Sequence, residues 1–524
     1  MHMGMLFVLV GLLIGTVIIV AIGDRVGLPW PALLVIPATA AVFVPGIPAV
    51  EIPADLILPI FLPPLLWALA RRTSWGVIRE QWRTIVSLSV LLVVATAFAV
   101  GTAAYFLLAG FGVAAAIVLG AAIAPPDPVA VDAVAEPAGI PRRIITVLQT
   151  EGLFNDAASI VLFHLALYTI THGDDVTIAQ GIGNFFYSSI IAGLLGLAIG
   201  RLAAWFINHV HDVTARNALT WVVPFAAYII AEELGASGVI AVVIAAVELN
   251  SRAVVEAEDR LSGRSFWETV EMLFTGVAFG LIGLSANNAL AVVGTDFWHS
   301  VLVGIVLSLV AFAVRFAWMS VFMWVNLRRG HVTGAPLRWQ EVLLMTWSGM
   351  RGLVTLALVL SIPNGVVGNY HELPVIALTV LFMTMLLPGL ALPWLMSVLD
   401  VSSQAKGAQD KMRKEVTDKA RHAAMQAVRD QAKELPPETV AAMQEWFDDR
   451  LGTDAEDHEN AAERQERMAE MRKRIGLTRR QAVQAAQEEL LYLRRQRRYN
   501  PAIVDEVLEE FDRLAVVGDI NWRK

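Results

Sequence analysis

The feature that most constrains this chain is the length of its charge-free segments. Between Arg83 and Asp127 more than 40 consecutive residues carry no charge, and another apolar run occupies residues 5–23. A helix needs about 20 mainly apolar residues to cross a bilayer, so the longer segment has room for two crossings. Residues 5–23 have neither a basic stretch before them nor a small-residue cleavage site, which indicates a retained first span rather than a signal peptide.

Charged residues are concentrated at the end of the chain. Residues 1–400 contain 17 Lys+Arg and 24 Asp+Glu, whereas residues 401–524 contain 23 and 24. Overall 17% of the residues are charged, compared with about 25% in soluble domains. The pattern predicts a membrane transport domain at 1–400, followed by a polar helical tail at 401–524.

We predict an all-α membrane protein with about 13 transmembrane helices. The expected spans are 5–23, 29–46, 55–70, 84–108, 113–135, 145–170, 180–207, 218–234, 236–250, 267–288, 298–326, 339–362 and 374–399.

The arginines predict the orientation of these spans. If the N-terminus is outside, 15 of the 17 arginines before residue 400 lie at loops and borders that face the cytoplasm, and none lies on the other side. This is the positive-inside bias of a plasma (inner) membrane protein, and it places the tail in the cytoplasm. The two remaining arginines, Arg315 and Arg351, fall within spans.

The stretch TEGLFNDAASIVLF, residues 150–163, carries acids where the sixth span should cross. An ionised carboxylate at the centre of a bilayer costs about 2.5–3.5 kcal/mol even on insertion scales. Glu151 and Asn155 share one helical face because they are four residues apart, and Asp156 lies about 100° further round. Such residues indicate a functional site, most clearly Asp156, for which the sequence offers no obvious basic partner.

A helix break is predicted in the fifth span, in IAPPDPVAVDAV. Pro125, Pro126 and Pro128 lack the backbone donor that a helix needs, and Asp127 lies among them. Broken backbone at membrane depth is tolerated where it is buried in protein or lines a wet cavity. The alternative to a functional break is an ordinary proline kink with no role in transport.

A second break is predicted in the twelfth span, in WSGMRGLVTLAL, where Gly349 and Gly352 flank Arg351. We expect Arg351 to form an ion bridge with Glu151, either purely structural or part of the mechanism. Arg315, in the eleventh span, is expected to compensate charge at the helix ends. Because the two broken spans lie at matching places in the two halves of the chain, they predict inverted repeats, spans 1–6 and 8–13, with the site between them.

Four motifs, in this order, carry a family resemblance: APPDPVAVDAV, TEGLFNDAASIVLF, EELGASGVIAVV and SGMRGLVTLAL. Together they resemble the monovalent cation:proton antiporters of the first family, which includes NhaP-type bacterial antiporters and animal sodium–hydrogen exchangers. The resemblance covers about residues 5–400. It implies a homodimer of thirteen-helix subunits with two crossed, broken helices.

The resemblance also implies roles for the site residues. Asp156 carries the cation or the proton, Asn155 helps to hold the site, and Asp127 is the aspartate of the broken helix. The chain departs from some relatives at Pro126, where they have Thr, and at Gly152, where they have Ser, so two oxygen ligands are missing. The substrates implied are H⁺ and a monovalent cation, which we expect to be Na⁺, with K⁺ or Li⁺ as the alternatives.

Competition for one carboxylate makes exchange obligatory, because an empty Asp156 would have to cross as an unpaired charge. One Asn and one Asp predict one proton per cation and no net charge movement. The alternatives are an ion channel or a cation-coupled symporter of related architecture. An intramembrane serine protease is suggested only by GASG at 235–238, which more readily makes a tight turn.

No enzymatic activity, cofactor or nucleic-acid partner is predicted, and the chain has no cysteine. The tail is interpreted either as a solvated helical extension or as a regulatory or dimer-stabilising domain. Asn500 should cap a helix that begins at Pro501. Arg494, Arg495, Arg497 and Arg498 could contact anionic membrane lipid or form a solvated basic turn.

Overall fold

The computed structural model describes most of the chain. The described residues are 2–26, 30, 33–34, 37–38, 54–127, 140–172, 178–210, 212–253, 257–293, 296–328, 335–363, 366–368, 370–399, 414–420, 422–424, 426, 481–494, 496 and 499–520.

Within these ranges all regular secondary structure is helical, which confirms the prediction of an all-α protein. The helices are α1 His2–Val26, α2 Ala54–Ala70, α3 Trp75–Ile85, α4 Leu92–Leu107, α5 Val113–Ile123, α6 Arg142–Gly152, α7 Asn155–His172, α8 Ile178–His209, α9 Val213–Glu233, α10 Gly238–Arg252, α11 Ala257–Val293, α12 Phe297–Arg328, α13 Trp339–Trp347, α14 Leu353–Leu360, α15 Leu373–Leu381, α16 Leu387–Leu399 and α17 Pro501–Ile520.

Eleven of the thirteen predicted spans coincide with these helices. The fifth, 113–135, is helical through Ile123 and lies outside the described residues from 128 on, and the second, 29–46, lies mostly outside them. In the described part, six helical stretches are long and apolar enough to cross a membrane, and three shorter apolar helices accompany them. The protein is therefore a multi-pass membrane protein. Short π-helical segments, Val86–Leu91 and Phe382–Leu386, connect α3 to α4 and α15 to α16.

The described membrane helices pack mainly as two groups. One contains α2, α8, α9 and α10, and the other contains α4, α5, α7, α12, α14 and α15. Glycines permit the close approach within the first group: a Cβ on Gly196 or Gly200 of α8 would lie 2.6 or 2.7 Å from the carbonyl oxygens of Ala241 and Ala245. Small residues at such contacts are the usual means of tight helix packing in membranes.

Both predicted helix breaks are present. Helix α5 ends at Ile123 and the chain continues without helix through Asp127, while five non-helical residues separate α13 from α14. Pro125 and Pro126 lie in the first break, and Pro128 lies outside the described residues. The sixth span, predicted as one helix, is interrupted as well, between Gly152 and Asn155.

Two compact units are present along the chain. One is formed by Met1–Val254 and Phe266–Ser402, and the other by Val255–Ser265 and Ser403–Lys524. The second unit has its own apolar core, in which Leu490, Val504 and Phe511 are buried. The Asn500 side chain accepts a hydrogen bond from Ala502 N at 3.0 Å, which confirms the predicted cap of α17. The division at residue 400 between a transport domain and a cytoplasmic tail stays a prediction.

Candidate ion-binding site

The two helix breaks are hydrogen-bonded to each other. The backbone N–H of Asp127, in the first break, donates to the carbonyl oxygen of Met350, in the second, at 2.6 Å. Irregular backbone at this depth needs such internal partners because lipid offers none. The breaks therefore form one structural unit.

Each break also caps a helix end created by the other. The Asp127 carboxylate accepts a hydrogen bond from Leu353 N, the first residue of α14, at 3.3 Å. Arg351 Nε donates to the carbonyl oxygen of Ile123, the last residue of α5, at 3.1 Å. An acid at a helix N-terminus and a base at a C-terminus are both favoured by the helix dipole. This reciprocal capping places one acid and one base at the crossing.

The two predicted break glycines leave room for these charged groups. A Cβ on Gly352 would overlap the Asp127 carboxylate, and a Cβ on Gly349 would lie 2.5 Å from Arg315 Cδ and Nε. A side chain at Gly349 would displace the buried Arg315, and one at Gly352 would displace the half-buried Asp127 carboxylate, so both positions favour glycine.

The ion bridge of Glu151 is made with Arg315, so the prediction that Arg351 is its partner is wrong. Arg315 Nη1 and Nη2 donate to Glu151 Oε1 and Oε2 at 2.5 and 2.8 Å. Arg351 is instead held by the carbonyl oxygens of Ile123 and Gly349. These two carbonyls hold Arg351 in place of the acid because the end of α5 and the break between α13 and α14 leave them without helical partners.

Arg315 has a second role that matches the expected charge compensation. Its Nε donates to the carbonyl oxygen of Met345, at 2.9 Å, in the last turn of α13. Its cation therefore lies both on Glu151 and at the negative end of a broken helix.

Asn155 links the interruption of the sixth span to the first break. Its amide Nδ2 donates to the carbonyl oxygen of Pro126, and its Oδ1 accepts from Asp156 N at 2.7 Å. This side-chain bond to the local backbone competes with a continuous helix and starts α7 here. One turn later Ser159 Oγ donates to the carbonyl oxygen of Ala121 at 2.8 Å. Sequence reasoning missed Ser159, although its i, i+4 spacing from Asn155 indicates the same face.

Asp156 lies in the first turn of α7 and is 5% exposed. Within the described part of the chain its carboxylate accepts no hydrogen bond and forms no ion pair. Asp127 lies within electrostatic range of it. Three acids, Glu151, Asp127 and Asp156, and two bases, Arg315 and Arg351, are described around the crossing. Of these acids, Asp156 is the one whose carboxylate forms no ion pair or hydrogen bond within the described residues.

Two buried hydroxyls beside the second break are available as oxygen ligands for an ion. Among the described residues, Ser348 Oγ and Thr355 Oγ1 have no hydrogen-bond partner. Ser348 precedes the break and Thr355 lies in the first turn of α14. An unpaired buried hydroxyl is unfavourable without a ligand or water.

The GASG motif forms the turn between α9 and α10. Gly235 has a left-handed φ of +66°, which favours glycine. The Ser237 hydroxyl accepts a hydrogen bond from Ile240 N at 3.3 Å and caps α10. The turn is therefore structural, and in the described residues no histidine is hydrogen-bonded to Ser237.

Comparison with known proteins agrees with this geometry. The family model described as "Sodium/hydrogen exchanger, transmembrane" matches residues 1–398. The chain belongs to the sodium/hydrogen exchanger family. The resemblance predicted from the four motifs is thereby confirmed.

Several members of the family are similar along most of their length. An uncharacterized Na⁺/H⁺ exchanger of Mycobacterium tuberculosis is 30% identical over 401 residues, covering 74% of this chain and 73% of that protein. The low-affinity Na⁺/H⁺ antiporter NhaS1 of Synechocystis is 30% identical, covering 71% and 70%. The Na⁺/H⁺ antiporter ApNhaP of Aphanothece halophytica is 30% identical, covering 70% and 68%.

A solved structure shares the fold. The sodium proton antiporter MjNhaP1 of Methanocaldococcus jannaschii at pH 8 superimposes with a TM-score of 0.59 at 17% identity, over 76% of this chain and 98% of that one. At this identity the likeness concerns the fold alone.

Proposed function

We propose that this protein exchanges a monovalent cation for a proton across the plasma membrane, one for one. The observation that carries the proposal is the buried Asp156 carboxylate beside the crossed breaks, which forms no ion pair within the described residues. One bound Na⁺ or one bound H⁺ neutralises the charge of the Asp156 carboxylate. Relatives named as Na⁺/H⁺ antiporters support Na⁺ as the cation.

Exchange is obligatory in this scheme. An empty site would expose an unpaired charge to the barrier, at a cost of about 2.5–3.5 kcal/mol or more, so only loaded forms cross. Asp156 binds the cation or the proton, with Asn155 and Asp127 beside it. Pro126 and Gly152 lack the side-chain oxygens that some relatives have at these positions. The hydroxyls of Ser348 and Thr355 and the carbonyls of the breaks supply oxygen ligands in their place.

The charged residues around Asp156 have structural roles in this mechanism. Glu151 and Arg315 fix α6 against α12, and Arg351 keeps the end of α5 in place. The group of α4, α5, α7, α12, α14 and α15 then moves against the group of α2, α8, α9 and α10 to alternate access.

The assembly and orientation belong to the same proposal. The protein is a homodimer with its N-terminus outside and its tail in the cytoplasm. The arginine distribution supports the orientation, and the family resemblance supports the dimer.

The test is cation-driven proton movement in proteoliposomes that contain a trapped pH dye at clamped voltage. Na⁺, K⁺ and Li⁺ are added in turn to wild type, Asp156→Asn and the control Asp212→Asn. Asp212 caps α9 through a hydrogen bond from Ala215 N, a role that asparagine also performs.

The expected result is proton movement in wild type and Asp212→Asn that is absent in Asp156→Asn. Proton movement that persists in Asp156→Asn removes the assignment of this residue. If no cation moves protons through wild type, exchange itself is excluded, and a channel or a solute symporter becomes the leading function.

A further inference from the structure

A cluster of metal-ligating side chains lies outside the ion-binding site, at the start of two helices. Asp296 directly precedes α12, and the 3₁₀ turn Tyr370–Glu372 directly precedes α15. Packing of α12 against α15 brings these two segments together. One ligand atom from each of Asp296, His371 and Glu372 lies within 4.8 Å of the other two.

The distances inside the cluster match those of a small metal site. His371 Nε2 lies 3.5 Å from Asp296 Oδ2, and His299 Nδ1 lies 2.9 Å from Glu372 Oε2. With zinc–ligand bonds of about 2.0–2.2 Å, neighbouring ligands of a tetrahedron are about 3.4 Å apart. These two separations lie on either side of this value, and one ligand atom from each of Asp296, His371 and Glu372 lies within 4.8 Å of the other two, so side-chain rotation can bring them around one ion.

Glu372 is held in position by the fold. Its side chain is only 4% exposed, and its Oε2 accepts from the Ser300 hydroxyl at 3.1 Å as well as contacting His299. The Ser300 hydroxyl also lies 2.9 Å from the carbonyl oxygen of Asp296. A buried carboxylate that is oriented by neighbouring hydrogen bonds is typical of a formed metal site.

The other members of the cluster are open to solvent. The side chains of Asp296, His371 and His299 are 54%, 41% and 48% exposed. An ion therefore has direct access, and two imidazoles and two carboxylates surround its path.

We infer that Asp296, His371 and Glu372, with His299 beside them, bind a divalent transition-metal ion of the Zn²⁺ type. Mixed imidazole and carboxylate ligands favour Zn²⁺ and Co²⁺ over Mg²⁺ and Ca²⁺, which prefer oxygen alone. The site lies on the face that the arginine distribution predicts to be extracytoplasmic, and it joins the start of α12 to the turn before α15. It is separate from the Asp156 site and does not depend on the proposed exchange.

The experiment measures Zn²⁺ binding to the purified full-length protein with its affinity tag removed, by competition with a fluorescent chelator. Wild type is compared with Asp296→Asn, His371→Ala and the control His209→Ala. His209 is exposed and bonded to the carbonyl oxygen of Trp205 on α8, outside the cluster. Co²⁺ absorption of wild type and of the variants gives a second readout, because four-coordinate Co²⁺ with imidazole ligands absorbs strongly in the visible range.

The expected result is one Zn²⁺ per wild-type chain, with Co²⁺ binding at the same site more weakly and Mg²⁺ not competing. Both cluster variants should bind Zn²⁺ at least about 10-fold more weakly, because losing even a group that only orients a ligand typically costs about 10- to 100-fold in affinity. His209→Ala should bind as wild type does. The inference is overturned if wild type and His371→Ala bind Zn²⁺ with equal affinity, or if wild type shows no Co²⁺ absorption in the visible range. The cluster would then consist of two ordinary ion pairs.

Discussion

Arg315 and Glu151 are joined by two parallel hydrogen bonds of 2.5 and 2.8 Å, although 164 positions separate them in the chain. Their side chains are 2% and 1% exposed. This bidentate geometry is the strongest form of an arginine–carboxylate contact. It ties the end of α6 to the middle of α12 beside the ion-binding site.

Removing either partner of this pair should destabilise the protein strongly. Arg315→Gln or Glu151→Gln leaves one buried charge without its counterion, which typically costs about 3–5 kcal/mol. Thermal unfolding in detergent measures the loss. The control is Arg72→Gln. Arg72 pairs with Glu271 at 2.8 Å, but its side chain is 44% exposed. Removing this exposed ion pair should therefore lower the free energy of unfolding by only about 0–1 kcal/mol.

The double variant Glu151→Gln/Arg315→Gln separates the pair from other effects of the substitutions. It should lose less stability than the two single changes added together, because it leaves no unpaired charge. Additive losses would mean that the two residues act independently.

Substitution of Gly352 by alanine should impair transport. The new Cβ occupies the space of the Asp127 carboxylate, and relief of such overpacking typically costs about 1–3 kcal/mol. The capped start of α14 is then displaced, so the rate of cation-driven proton movement falls. Proteoliposome flux compares this variant with Gly193→Ala, whose Cβ meets no atom within 4 Å. If Gly352→Ala moves protons as fast as Gly193→Ala does, the capping of α14 by Asp127 is not needed for transport.

Asn155→Ala should weaken cation binding more than it weakens the fold. It removes the donor to the carbonyl oxygen of Pro126 and the acceptor for Asp156 N, at a cost of about 1–3 kcal/mol for a buried unpaired group. The KM for Na⁺ should therefore rise in the flux assay.

Ser159→Ala is the matched control for Asn155→Ala, since it removes one hydrogen bond to Ala121 on the same helix face. It should lower the unfolding temperature and leave the KM unchanged. If both variants raise the KM equally, Asn155 has no special relation to the ion.

Wild-type exchange should be insensitive to membrane voltage. Na⁺ and H⁺ each carry one positive charge and compete for the same Asp156 carboxylate, so the two loaded forms carry equal charge. Flux is measured at zero and at about −100 mV, at which a translocated net charge would be worth about 2.3 kcal/mol. A rate that changes with voltage would indicate unequal numbers of cations and protons.

The broken helices and Asp156 were predictable from the sequence because prolines, paired glycines and acids are so unfavourable inside spans. The partner of Glu151 could not be predicted from the sequence, because Arg315 and Arg351 are both arginines within predicted spans and either could pair with it. Only the packed positions of α5, α6 and α12 decide which one lies opposite the carboxylate. The interruption before Asn155 was also missed, because asparagine and glycine occur in continuous helices, and the deciding bond is made to Pro126 in another segment.

The reciprocal capping by Asp127 and Arg351 has a consequence for how such a transporter can diversify. Neither break can be opened without leaving a charged group of the other break without its partner, so we expect the two breaks to move as one unit. Substitutions in the surrounding helices can then tune turnover speed without redesigning ion choice. Changes in ion choice must come from the few oxygen donors that this unit carries beside its acid.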